Sequence, residues 1–187
     1  VGSEVENQDE FGTRIKVRVG ELEGYVAKKY IFETEDDGEW YLLSSSTTKA
    51  GANTNRDINI NIASSYINRK ILQPNEKFSF WDTVGKCTYD KGYKDATVYN
   101  NGKKTKGIGG GVCQVSTTVN MAVKSAGIKT NARQHSLPVS YASREDEATV
   151  SFGNTDFKFT NTTGKTIMLV MGSVDGSCTC EVWAKYE

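Results

Sequence analysis

The stretch Gly107-Ile108-Gly109-Gly110-Gly111-Val112-Cys113-Gln114-Val115-Ser116-Thr117-Thr118 decides how the chain is read. Four glycines within five residues let the backbone take positive φ, or pass close to another group with no Cβ in the way. Beyond them Val112, Val115, Val119, Ala122, Val123 and Ala126 recur at i, i+3, i+4 spacing, which predicts a helix with one buried face. Gly127 is the expected C′ residue that ends it. Cys113 then falls in the first helical turn, where unpaired N–H groups and the helix dipole favour an anion. A thiol there is expected to have a lowered pKa and a larger thiolate fraction. The plainer reading stands beside it: free Cys is among the most buried residue types, and a glycine run commonly marks a tight turn.

Upstream, residues 85–107 are rich in Gly, Lys, Tyr and Asp and predict a long ordered loop with short strands. Lys103, Lys104 and Lys106 sit just before the glycines. Such runs usually face solvent, although here they could also hold an anionic group beside the thiol. Further back, residues 55–68 carry Ile58, Ile62, Ala63, Tyr66 and Ile67 as a helical stripe, with Thr54 or Asn55 as N-cap. Pro74 breaks the chain after Leu72, and Phe78, Phe80 and Trp81 are expected in the core or lining a groove. A strand is predicted from Trp40. Downstream, 136–141, 148–152 and 156–160 are strand candidates, and Asp175-Gly176 marks a hairpin turn between 167–171 and 180–186.

The composition fits this reading. A chain of 187 residues with 37% hydrophobic and 25% charged residues suits a globular protein of one main domain. The formal net charge is zero, which gives no electrostatic case for a nucleic-acid partner or an anionic membrane. No apolar run approaches the length of a membrane span. Four cysteines are too few for a disulfide scaffold, and Cys178 and Cys180, two apart in a strand-like run, have no His nearby to suggest zinc. With Cys87 they are taken as structural, so neither a metal nor a cofactor is expected. The fold class is α+β, with a mixed or antiparallel sheet, two main helices, and the Cys at the N-terminus of the second.

Residues 11–32 read differently. Ile15, Val17 and Val19 alternate with Arg and Lys, and a turn from Gly20 to Gly24 leads into Tyr25-Val26 as a hairpin. Gly24-Tyr25-Val26 with Tyr30-Ile31 resembles the closing strands of bacterial Src-homology-3-type domains, which often bind cell-wall peptides. The expected organisation is a partial segment of that type over 1–32, an acidic linker over 33–39, and the α+β domain over 40–187.

Within that domain Arg56, Asn59-Ile60, Pro74-Asn75-Glu76-Lys77-Phe78-Ser79-Phe80, Gly92-Tyr93, Ala96, Gly109 to Thr118, His135-Ser136, Ala148-Thr149-Val150, and Asp156 with Phe159 and Asn161 stand in the order of the VanW family. The chain resembles that family over roughly residues 40–165. Two positions depart from its usual pattern: Asn75 replaces a Gly, which its tolerance of the left-handed region allows, and Glu147 stands where an Asp is usual. The family takes its name from vancomycin-resistance clusters of Gram-positive bacteria. The resemblance implies an exported, cell-envelope protein, with any membrane anchor lying outside this sequence, working on peptidoglycan or a cell-wall peptide.

Two kinds of activity fit these residues. In the first, a cysteine peptidase or transpeptidase, Cys113 attacks an amide carbonyl and His135, the chain's one histidine, serves as base. Asp156 or Glu147 would orient the imidazole, and backbone N–H groups with Gln114 would form the oxyanion site. In the second, a non-catalytic wall- or peptide-binding module, Gly109, Gly110 and Gly111 bring backbone close to a ligand. Trp81, Tyr93, Tyr99 and Phe80 would then line its groove.

Overall fold

The computed structural model of the protein describes residues 6–11, 14–19, 22–27, 40–51, 54–100 and 102–186. Its chain divides into two compact units, with the boundary between Tyr41 and Leu42.

The first unit holds β1 (Glu6–Phe11), β2 (Arg14–Val19) and β3 (Leu22–Ala27), an antiparallel three-stranded sheet in that order. The hairpin expected from the Ile15-Val17-Val19 alternation is the β2–β3 pair. Its turn is tighter than the sequence suggested: Val19 already pairs with Leu22, and Gly24 lies within β3 opposite Val17. The acidic run 33–39 lies outside the described residues.

The second unit holds β4 (Trp40–Lys49) from Leu42 onward, α1 (Thr54–Ile67), β5 (Lys70–Leu72), β6 (Lys77–Ser79), α2 (Phe80–Val84), β7 (Asp95–Asn100), β8 (Lys103–Ile108), α3 (Val112–Ser125), β9 (Lys158–Thr160), β10 (Ile167–Val174) and β11 (Ser177–Lys185). The main sheet has the order β4-β11-β10-β5. Its β10–β11 hairpin turns at Asp175 and Gly176, both at positive φ (46° and 76°), which is why that dipeptide is there. Along it Ile167, Leu169 and Met171 face the same side as Cys178, Cys180, Val182 and Ala184, and all are buried. Helix α1 packs on β10 and α3 on β11, and the helices touch each other. Two helices on one face of an antiparallel sheet make this an α+β fold, as expected.

The α3 helix ends as its sequence predicts. Gly127 takes φ 81°, its N–H donates to Lys124 O, and Ile128 N–H reaches back to Val123 O, a Schellman pairing. The α1 stripe needs correcting. The buried face is Asn59, Ile60, Ala63, Ser64 and Ile67, whereas Tyr66 is exposed. Asn59 shifts the face because its side chain is used inside: Nδ2 donates to Lys94 O and Gly110 O, and Oδ1 accepts from Lys94 N. Asn75 sits at φ 66°, the role its substitution for Gly requires. Phe78 and Phe80 are core residues, with Phe78 stacked on Phe159 at 4.9 Å. The short strands expected within 85–107 are the β7–β8 hairpin over 95–108, with Lys103, Lys104 and Lys106 exposed along β8.

Of the three strand candidates after α3, only β9 forms, three residues long. The segments 136–141 and 148–152 are not strands. Some of their backbone groups bond to backbone, Thr149 N–H to Arg133 O and Ser151 N–H to Thr155 O, and others are held by side chains. Glu147 takes the N–H groups of His135 and Val139, Thr117 takes that of Ala148, and Ser116 donates to Ala148 O.

Close packing at the glycine turn sets a test. A Cβ at Gly110 would lie 2.5 Å from Thr97 O, whereas one at Gly172 would meet nothing within 4 Å. Gly110→Ala is expected to lower unfolding free energy in denaturant by about 2–3 kcal/mol, and Gly172→Ala to change it by under about 0.5 kcal/mol. Equal effects would contradict the packing described.

Candidate functional site

The glycine turn exists to seat α3. Gly109 (φ 79°) and Gly111 (φ 113°) occupy backbone that side chains rarely tolerate. The space their missing Cβ atoms leave is filled by this chain: Cys87 at Gly109, Thr97 and Ala96 at Gly110, and Arg56 and Ile60 at Gly111. The close approach expected of these glycines is therefore to α1, β7 and Cys87. It is not to an open ligand cleft.

Gly111 caps α3 without a side chain, and Cys113 follows in the first turn, partly exposed. Its Sγ donates to Val150 O at 3.4 Å and lies 3.9 Å from Thr149 Oγ1. Burial pushes the thiol pKa up; the Thr149 hydroxyl and the Arg56 guanidinium pull the other way without reversing it. The lowered pKa expected from the helix start is thus overridden by desolvation. Cys113 rests as a neutral thiol.

His135 is 4% exposed and lies between two tyrosine rings, Tyr99 at 6.5 Å and Tyr141 at 6.4 Å between centroids. Its Nδ1 is 3.3 Å from Glu147 Oε2, and neither ring nitrogen has a hydrogen-bond partner among the described residues. Burial lowers the imidazole pKa, and the Glu147 charge opposes this only in part. Glu147 is itself 2% exposed. Burial alone would raise its carboxyl; the N–H groups of His135 and Val139 and the Arg144 guanidinium, Nη1 at 2.7 Å, hold it below the usual range. Tyr141 meets two of the groups: the Arg56 guanidinium lies 5.7 Å over its ring, and the His135 ring packs against it at 6.4 Å between centroids and 89°.

Several expected roles move. Asp156 is not the partner of His135. Its carboxylate accepts from Ser79 Oγ (2.6 Å) and Trp81 N (3.1 Å), fixing the start of α2, and lies 3.4 Å from Lys158 Nζ. Gln114 is fully buried and its Nε2 donates to Thr48 O and Gly176 O, so it braces β4 and the β10–β11 turn and offers nothing to an oxyanion. Trp81 donates to Thr155 O and packs on Phe80 and Phe152, while Tyr93 and Phe80 are fully buried. These aromatics do not line a groove; Tyr99 alone of the four is exposed. Cys178 and Cys180 are buried in the sheet, and all four cysteines are free. Among the described residues no group of three or more His, Cys, Asp or Glu is placed to hold a metal. The reading by sequence did not give roles to Tyr141, Arg144 or Arg56. Arg144 left a signal at i, i+3 from Glu147, and Arg56 stands among the residues that carry the family resemblance.

The fold and site define an α+β domain with a half-buried cysteine in the first turn of a buried helix and a buried histidine–glutamate pair. The chain belongs to the VanW family, since the model described as "VanW like protein" matches residues 55–183. It is 39% identical over 145 residues to the "Uncharacterized protein YoaR" of Bacillus subtilis, covering 77% of this chain and 46% of that one. It is 29% identical over 142 residues to the "Vancomycin B-type resistance protein VanW" of Enterococcus faecalis, covering 71% of this chain and 46% of that protein. The chain thus spans about half the length of these curated relatives. No solved structure matches it. No described helix is long and apolar enough to cross a membrane.

The pair has a consequence for stability. His135 and Glu147 both have lowered pKa values in the folded state, so in acid the unfolded chain binds more protons and stability rises with pH. The histidine part is lost as pH falls from its unfolded value of about 6.5 toward the lower folded value. The Glu147 part follows below about 4.3. The melting temperature is expected to drop between about pH 7 and pH 5, and His135→Gln to flatten that interval. An unchanged slope in the variant would contradict a neutral buried imidazole.

Proposed function

We propose that this domain works at the Gram-positive cell envelope as a cysteine peptidase or transpeptidase of peptidoglycan peptides, with Cys113 as nucleophile, His135 as base and Glu147 as orienter. One observation carries the reading: Glu147 Oε2 lies 3.3 Å from Nδ1 of a buried imidazole whose ring nitrogens have no hydrogen-bond partner among the described residues. The family and the printed name of the Enterococcus relative support the setting.

The protonation states select the route. A raised thiol pKa and a lowered imidazole pKa make a neutral pair, so the thiol proton moves during attack rather than before it. Sγ first leaves Val150 O. It then bonds to the amide carbon while its proton passes to His135 Nε2, and Glu147 balances the imidazolium that forms. Collapse breaks the C–N bond, and the same Nε2 returns the proton to the leaving amine. Water then releases the acyl group in a peptidase, and a second amine takes it in a transpeptidase.

A second reading is favoured by the resting position of the thiol. Sγ is hydrogen-bonded to a carbonyl and not to the imidazole, as a structural cysteine in a peptide-binding module would be. Incubation with purified Gram-positive wall and its soluble muropeptides separates the two. Catalysis predicts cleaved or exchanged peptides by mass spectrometry, complete loss in Cys113→Ser, and a fall of about a hundredfold or more in His135→Ala. Wall co-sedimentation should survive in Cys113→Ser. Binding without products in the unsubstituted domain would overturn the catalytic reading.

A further inference from the structure

Arg144 holds both members of the buried pair at once. It is the first residue of a one-turn 3-10 helix, Arg144–Asp146, closed by Asp146 N–H donating to Ser143 O. Residues three apart eclipse in such a turn, which brings the Arg144 side chain back over Glu147. Its Nη1 donates to Glu147 Oε2 at 2.7 Å, and its Nη2 donates to His135 O and to Gln134 Oε1, both at 3.1 Å. Glu147 Oε2 also accepts from His135 N at 2.8 Å. A closed ring results, from guanidinium to carboxylate, from carboxylate to the His135 N–H, and from the His135 carbonyl back to the guanidinium. The Glu147 side chain is wholly buried and that of Arg144 is 41% exposed, so the cation reaches in from the surface. The neighbouring acid, Asp146, is engaged elsewhere, by Lys124 Nζ at 2.7 Å and Ser143 Oγ at 2.8 Å.

The ring has a consequence for the imidazole. Oε2 already accepts two short bonds, and His135 Nδ1 stands 3.3 Å from it without a hydrogen bond. The other side chains packed on the imidazole are the rings of Tyr99 and Tyr141, so Glu147 and Arg144 are the charges that act on it. We infer that Arg144 is a positioning residue for His135: its rigid fork fixes the carboxylate and the His135 peptide in one frame, and so limits how strongly Glu147 draws the Nδ1 proton. The inference rests on the Cys113–His135 reading for its catalytic meaning and deepens it. With the guanidinium in place the imidazole rests neutral, the form that can accept a proton. Without it, Oε2 would turn to Nδ1–H and favour the imidazolium, which can accept none.

The test compares the nitrogen NMR titration of His135 in the intact protein with those of Arg144→Gln and Arg144→Lys. In Arg144→Gln the titration is expected to move to higher pH, because a repelling cation is gone and Oε2 is released to accept from Nδ1. The Nδ1–H tautomer should be kept, with that proton exchanging slowly. Arg144→Lys retains a cation and should titrate close to the unsubstituted protein. A loop that had merely loosened would shift both variants alike and give the Nε2–H tautomer of a solvated imidazole. A second measurement needs no substitution: the Nη1 and Nη2 protons of Arg144 should give separate signals, since a fork bonded at both ends rotates slowly. An unmoved titration in Arg144→Gln, equal shifts in the two variants, or one averaged Nη signal would overturn the inference. No readout needs substrate, so an imidazole set by Arg144 in a domain that cleaves no peptide would overturn the catalytic reading and leave this inference standing.

Discussion

The structure depends on the polar residues that α3 carries into the interior. Gln114, Ser116, Thr117, Thr118 and Asn120 are all fully buried, and each hydrogen-bonds to a neighbouring segment. Gln114 reaches β4 and the β10–β11 turn, and Thr118 meets Thr48 at 2.7 Å. Ser116 and Thr117 hold Ala148, Asn120 donates to Asp146 O and accepts from Thr130. Each unmade bond of this kind would leave a buried polar group at a cost of about 1–3 kcal/mol. The helix therefore fixes the register of an irregular segment that no sheet ladder holds.

That segment carries the chemistry. Pinning Ala148 on one side places Glu147 where it can gather the N–H groups of His135 and Val139, and on the other side brings Val150 O to the Cys113 thiol. A buried carboxylate with three donors stays charged, and it lies 3.3 Å from Nδ1 of the imidazole. The helix start contributes position more than acidity. Desolvation outweighs the dipole and keeps Cys113 protonated, and burial lowers the imidazole pKa of His135.

Periodic features were legible in the sequence. The α3 stripe, its Gly127 ending, the Asp175-Gly176 turn, the Asn75 substitution and the two-helix α+β class all follow from rules that act over a few residues. The chemistry-bearing loop was not legible. Alternation at 136–141 and 148–152 looks like strand, and the side chains that replace the ladder come from a helix some thirty residues away. Asn59 shows the same limit, because a polar residue on a buried face breaks the apolar pattern that marks that face. Choosing Glu147 over Asp156 needed tertiary structure, since both are acids after His135 and only the fold shows Asp156 engaged by Ser79 and Trp81.

His135 is the chain's single histidine, which makes one measurement decisive: the nitrogen NMR titration of its imidazole in the intact protein. The account predicts the Nδ1–H tautomer, facing Glu147, and a pKa below the ordinary value of about 6.5. An Nε2–H tautomer, or an imidazole that stays protonated above that value, would contradict it.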